Sequence, residues 1–159
     1  MVKSGEQTNL AGEYESKVVA GFRIAVPSQL RKALSNNCVI TKGYEECLIL
    51  VPKAKWSKIV KPLEESSFFD RNIRDTLRFL VGSSYELSLD KQGRFVVPQM
   101  LRTYAHLMES DNKGEVVFVG LVNWVEVWDK KMWEQRMSYI EDNADSIAQE
   151  LKILSNPSE

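Results

Sequence analysis

Two arginines set evenly about a proline, and the same trio again later in the chain, are the residues best suited to chemistry. Arg23, Pro27 and Arg31 stand at intervals of four, as do Arg94, Pro98 and Arg102, with Lys17, Lys32 and Lys91 nearby. A guanidinium is a planar fork that fits a phosphate or the O6/N7 edge of guanine, and an ammonium is a point charge for phosphate. A structural reading competes: Glu15, Glu86 or Asp90 could hold Arg31 and Arg102, and Asp90 stands four residues before Arg94. Arg23 has Val19 where Arg94 has its acid, which leaves the Arg23 fork the freer of the two.

Side chains for catalysis are scarce. His106 is the single histidine, and Cys38 and Cys47 stand nine apart with no second pair, so the ligand spacings of zinc sites are absent. No Gly-rich phosphate loop, G-x-S-x-G elbow or H-E-x-x-H helix occurs. Glu86 and Asp90 form the nearest carboxylate pair, with nothing beside them that resembles a pocket. The expectation is a protein without catalytic residues, metal or cofactor, with both thiols reduced in the core and His106 on a helix surface.

The 159 residues, 43% hydrophobic and 27% charged, have the composition of a globular domain and exclude disordered, collagen-like and disulfide-scaffold classes. No apolar stretch approaches the roughly 18 residues of a membrane span, and the start lacks the apolar run of a secretory signal. A cytosolic protein without a membrane partner is expected. The net charge of −1 is unevenly spread: residues 1–62 carry ten Lys/Arg against five Asp/Glu, and residues 63–159 carry eleven against seventeen. Charge alone favours a solvated polar face over a nucleic-acid footprint.

An internal repeat organises these residues. Tyr14-Glu15 matches Tyr85-Glu86, and Arg23-Ile24-Ala25-Val26-Pro27 with Leu30-Arg31 matches Arg94-Phe95-Val96-Val97-Pro98 with Leu101-Arg102, always 71 residues apart. A second block pairs Gly43 with Gly120, Cys47 with Trp124, Leu48 with Val125, Leu50 with Val127 and Trp56 with Trp133, now 77 apart. Six extra residues therefore fall between Arg102 and Gly120, in the polar stretch from Glu109 to Gly114. Two copies of one unit run from about Gly12 to about Tyr139.

Each copy reads as the same series of elements. Arg23 to Val26 and Arg94 to Val97 alternate as half-buried strands, and the proline that follows suits a first helical position. Leu30 with Leu34, and Leu101 with Ala105 and Met108, give each short helix an apolar side. Val39-Ile40 with Cys47 to Val51, and Val116 to Val119 with Val125 to Trp128, form hairpins about Gly-containing turns. Helices carrying Trp56, Ile59 and Val60, or Trp133 and Met137, close the copies, and Phe68 to Val81 links them with Asp70 as N-cap. Trp124 and Trp128, four apart, fall on one strand face that suits a subunit interface.

Leu89-Asp90-Lys91-Gln92-Gly93-Arg94-Phe95-Val96-Val97-Pro98, followed by Leu101-Arg102 and Tyr104-Ala105, resembles the D-x-x-x-R signature of the MraZ transcriptional regulators, members of the AbrB-like (SpoVT-AbrB) superfamily. The likeness continues through Val119-Gly120, Val125 to Asp129, Trp133, and Arg74, Leu77, Arg78 and Leu80 of the link. The first half resembles the same module but departs at Val19, where the signature has its acid. Repeat and resemblance together point to an α+β fold. In it two tandem pseudo-symmetric AbrB-like units (strand-turn-strand, short helix, β-hairpin, helix) pack as one small β-barrel-like domain with a helical C-terminal tail. The expected parts are an extension over 1–11, repeats over 12–66 and 83–139, a linking helix over 67–82 and an acidic helical tail over 140–159.

The resemblance implies a transcriptional regulator that binds double-stranded DNA at short direct repeats in the promoter of a cell-division and cell-wall gene cluster. It also implies a ring-like homo-oligomer, cytoplasmic and associated with the nucleoid. Lys17, Arg23, Arg31, Lys32, Lys91, Arg94 and Arg102 are then the DNA-binding residues, with Asp90, Pro27 and Pro98 as the structural signature. A few charges in one module bind weakly and with full salt sensitivity, and a ring that seats modules on successive sites multiplies the affinity. The alternative is an antitoxin-like interaction module, holding a protein partner through Ile147, Leu151 and Leu154 of the tail.

Overall fold

Period-two alternation builds short strands in both copies, and a proline ends each of three of them. The computed structural model describes residues 10–107 and 114–151. The first copy consists of β1 (Leu10–Val19), β2 (Arg23–Ala25), α1 (Ser28–Leu34), β3 (Asn37–Lys42), β4 (Leu48–Pro52) and α2 (Lys53–Glu64). After α3 (Arg71–Leu80) come β5 (Tyr85–Ser88), β6 (Arg94–Val96), α4 (Gln99–Tyr104), β7 (Glu115–Val122), β8 (Val125–Asp129) and α5 (Lys130–Gln149). Pro27, Pro52 and Pro98 stand at the N-caps of α1, α2 and α4, which for Pro27 and Pro98 is one residue earlier than the sequence places them. At that position the ring fixes φ while ψ stays extended, and the proline carbonyl accepts the first helical bond, from Leu30 N at 2.9 Å and Arg102 N at 3.0 Å.

All strand pairs are antiparallel, in the order β5-β3-β4-β8-β7-β1-β2-β6. The two ends of that order, β5 and β6, are consecutive in the chain and joined by the Asp90 N to Arg94 O bond of 2.9 Å, so the sheet curls into a nearly closed barrel. The copies exchange strands rather than standing side by side. Strand β2 pairs with β6 at Arg23/Val96, Ile24/Phe95 and Ala25/Arg94, a register that maps onto itself when the copies are swapped. The same holds for β4 and β8, at Leu48/Val127, Ile49/Glu126 and Leu50/Val125. Strand β1 lies against β7, and β5 against β3. Two more bonds obey the exchange: Val26 N to Gly93 O at 2.9 Å, and Val97 N to Phe22 O at 3.1 Å.

The ladders shift one pairing of the sequence alignment. Lys42 faces Leu48 and Gly120 faces Val125, so Gly120 corresponds to Lys42 rather than Gly43. The first hairpin turn is one residue longer, and that residue is taken up by the turn Tyr44–Glu46, where Glu45 and Glu46 adopt φ of 67° and 65°. Gly120 is required by close approach: a Cβ there would stand 2.5 Å from the Ala11 backbone nitrogen. The Glu109 to Lys113 stretch and Met108 lie outside the described residues.

The barrel interior holds Leu10, Ile24, Val26, Leu30, Leu34, Ile40, Leu48, Leu50, Phe95, Val97, Leu101, Phe118, Val125 and Val127, all buried. Cys38 and Cys47 are buried and unpaired, as the sequence suggests, and burial pushes the Cys38 thiol up to about 11. Cys47 is raised further, by burial and then by the Glu126 and Glu45 carboxylates. Asp70 caps α3, accepting from Asn72 N at 2.8 Å. The linking helix is shorter than expected, because Phe68 and Phe69 precede the cap and are 75% and 87% exposed.

Helix α5 forms a unit of its own. It runs unbroken through the expected boundary at 139/140, with Arg136 over the Tyr139 ring at 5.2 Å and Asn143 Nδ2 donating to Tyr139 O at 2.9 Å. Leu154 and the end of the tail lie outside the described residues. No helix among the described residues is long and apolar enough to cross a membrane.

The Ile24/Phe95 pair joins the copies at their exchange point, with Phe95 4% exposed. Phe95→Ala is expected to lower unfolding free energy by roughly 3–5 kcal/mol, against about 1 kcal/mol for Asp70→Ala. Urea melts of both variants against the parent chain measure the contrast.

Candidate nucleic-acid interface

The outer face of β1, β2 and β6 carries the two strand arginines. Cross-strand register sets Val19, Arg23 and Val96 in one row, and Ala25 beside Arg94 in the row two residues along. Because successive side chains alternate, Ile24 and Phe95 between these rows point into the core. Arg23 and Arg94 therefore stand diagonally across the exchange point on one exposed face. A cavity of about 310 Å³ between them is lined by Arg23, Ser88, Asp90, Arg94, Phe95 and Val96.

The two turns feeding this face are built differently. In the second copy Asp90 Oδ1 accepts from Gln92 N at 2.9 Å and Arg94 N at 2.8 Å, while Oδ2 pairs with Arg94 Nε at 3.0 Å. The backbone N–H of Arg94 foremost, helped by its guanidinium and the Gln92 N–H, holds the carboxyl below the usual aspartate range against the desolvation that would raise it. Gly93, at φ 73°, completes the turn through its N–H to Asp90 O at 2.9 Å. In the first copy Val19 offers no acceptor, and the turn instead places Gly21 and Phe22 at φ 78° and 57°. The Arg23 side chain is exposed and has no hydrogen-bond or ion-pair partner among the described residues, whereas that of Arg94 is tied to Asp90.

The helix arginines reach across the exchange. Arg31 is half-buried, donates from Nε to Val26 O at 2.7 Å and lies against Gly93, where any Cβ would run into its guanidinium. Arg102, its counterpart, stacks on the Phe22 ring at 3.4 Å, and Phe22 is the position that corresponds to Gly93. Each helix arginine thus braces the turn of the other copy, so Glu15 and Glu86 are not what holds them. Glu86 pairs with Lys53 at 3.2 Å. Lys17, Lys32 and Lys91 are exposed, Lys17 on β1 opposite Glu115 and Lys91 in the Asp90 turn.

Other expectations shift. Trp124 sits in the β7–β8 turn rather than on a strand and lines a 270 Å³ cavity with Lys55, Lys58, Ile59 and Asn123. Trp128 is buried and its Nε1 donates to Glu126 Oε2 at 2.7 Å, so the two indoles share no exposed face. His106 follows α4 at φ 56° rather than lying in it, and pairs with Glu46 at 3.2 Å. Sequence reasoning gave Tyr104 a place in the signature but no role; its hydroxyl donates to Gly43 O at 2.6 Å and fixes the first hairpin turn. No cluster suited to a metal ion occurs among the described residues.

Fold and face together define a tandem-repeat barrel of exchanged strands, with one arginine-bearing turn from each repeat on a common surface. The family model described as "MraZ protein, putative antitoxin-like" matches residues 10–79 and again 80–154, and the chain belongs to the MraZ family. It is 36% identical over 143 residues to a protein of Acetivibrio thermocellus named "Transcriptional regulator MraZ", covering 90% of this chain and 96% of the relative. Proteins of the same name from Pediococcus pentosaceus and Clostridium beijerinckii are 34% and 35% identical, covering 88% and 90% of this chain and 94% and 96% of the relatives.

The lowered Asp90 titration carries a sign. A carboxyl depressed on folding adds stability above its unfolded value and loses it as pH falls through the folded one. The melting temperature of the chain should therefore exceed that of Asp90→Asn at neutral pH, and the gap should close as pH drops below the ordinary aspartate range. Thermal melts at stepped pH measure it.

Proposed function

We propose that the chain is a sequence-specific DNA-binding transcriptional regulator acting on double-stranded DNA. Its targets are short direct repeats in the promoter of a cell-division and cell-wall gene cluster, bound as a ring-like homo-oligomer in the cytoplasm at the nucleoid. The names of its relatives support the regulator. The observation that carries the reading is the common face on which Arg23 and Arg94 stand diagonally beside one cavity.

Arg23 serves as the reading fork, since engaging DNA costs it no internal bond. Arg94 reads through one edge while Asp90 holds its Nε. Lys17, Lys32 and Lys91 supply phosphate charge, and Arg31 and Arg102 add charge while bracing the turns. Pro27 and Pro98 fix the path from strand to helix below the face.

A second reading, a protein-interaction module, is favoured by the exposure of Ile147 in the last turn of α5 and of Leu151, which lies just past the end of the helix rather than on it. One experiment separates the two. Arg23→Ala should weaken binding to a repeat-bearing fragment of the DNA upstream of its own gene, by roughly 1–3 kcal/mol per lost bidentate contact, while Lys130→Ala changes it little. A folded chain with no salt-sensitive affinity for any duplex leaves only the second reading.

The proposed assembly has its own measurement. Light scattering at micromolar concentration should give a mass several times the 18.2 kDa of one chain, and a monodisperse monomer contradicts it.

A further inference from the structure

The two turn faces differ in one chemical respect that the repeat would otherwise make equal. Exchange of the copies maps the row Val19–Arg23–Val96 onto the row Asp90–Arg94–Ala25. Arg94 is flanked by a carboxylate that bonds it, with Asp90 Oδ2 3.0 Å from Nε. Arg23 is flanked on both strands by valines, Val19 at 46% and Val96 at 52% exposure, two branched side chains left in water beside a guanidinium. Neither contributes to the core.

We infer that Val19 and Val96 form an apolar clamp beside the Arg23 fork that selects a thymine by its 5-methyl group, making the first-copy face specific for a methyl-bearing base and the second-copy face indifferent to it. This rests on the DNA-binding reading above and specifies its ligand. The argument is one of chemical matching. A basic fork brings this face against a polyanion, and within the major groove the one apolar feature on a base edge is the thymine methyl. Against such a group the two valines, 46% and 52% in water, recover burial without moving the fork between them. The diagonal row offers no equivalent, because Asp90 would set a carboxylate beside the same methyl and Ala25 is short and half-buried.

The test uses the full chain and a randomised duplex pool made in two versions, one with thymidine and one with deoxyuridine, which lacks only the methyl. Binding is measured by competition between the two pools at one salt concentration. The parent chain should prefer the thymidine pool by about fourfold or more, the value of one buried methyl. In Val19→Ala and in Val96→Ala the ratio should fall towards one. Val19→Asp, which restores the carboxylate of the other copy, should abolish it. Val19 and Val96 lie outside the core, and a melting curve close to that of the parent chain accompanies each variant. Salt-sensitive binding with equal affinity for both pools overturns the clamp and leaves the DNA-binding reading standing. A preference that survives both alanine variants places the methyl contact elsewhere and also overturns it. Absence of binding to either pool overturns both readings together.

Discussion

Everything in the barrel depends on one antiparallel contact, Ile24 opposite Phe95, where the strand of one repeat meets the same strand of the other. Each of these strands is three residues long and could not stand alone, since a ribbon so short leaves most of its polar groups to water. Pairing them with each other closes the ladder and buries both side chains. It also puts the turn of each repeat within reach of the other repeat's helix. The braces of Arg31 on Gly93 and Arg102 on Phe22 follow directly.

That geometry divides labour among cations that look alike in sequence. Arginines on the helices support, and arginines on the strands present. The distinction arises because a residue one turn into α1 or α4 points back over the strand exchange, whereas the residue before Ile24 or Phe95 must point outward when its neighbour points in. The two presented arginines differ again through Val19 and Asp90, one leaving its neighbour unbonded and the other holding it. A duplicated unit has thereby become a surface with two unlike halves.

Much of this was legible in the residues. Two constant offsets mark the repeat, alternation about Ile24 and Phe95 marks the strands, and Asp70 marks a helix start. What the sequence withheld is which copy pairs with which. Near-identical apolar patterns satisfy β2 equally well beside β1 of its own copy or β6 of the other, and only closure of the barrel requires both. The contacts of Arg31 and Arg102 cross that exchange and so leave no local signal. The one-residue shift at Lys42 and Gly120 hid for a related reason: a turn absorbs an extra residue without disturbing the alternation on either side. Trp124 misled because its spacing to Trp128 fits a strand, while the chain has already entered the turn. The continuity of α5 was masked by the acidic shift in composition near Met137, which changes charge without changing helical preference.

The strand exchange also sets the order in which a growing chain can acquire structure. Leu10 finds its partner only when Val122 has been made, and Leu48 waits for Val127. The β3–β4 hairpin can form early, yet its outer edges have nothing native to meet until the second repeat emerges. The first repeat therefore cannot close its ladders within one copy of itself, and its strand edges stay open until the second repeat emerges. The halves are alike in pattern yet complete each other's ladders, and pairings of such high sequence separation are the kind whose loop-closure cost slows folding.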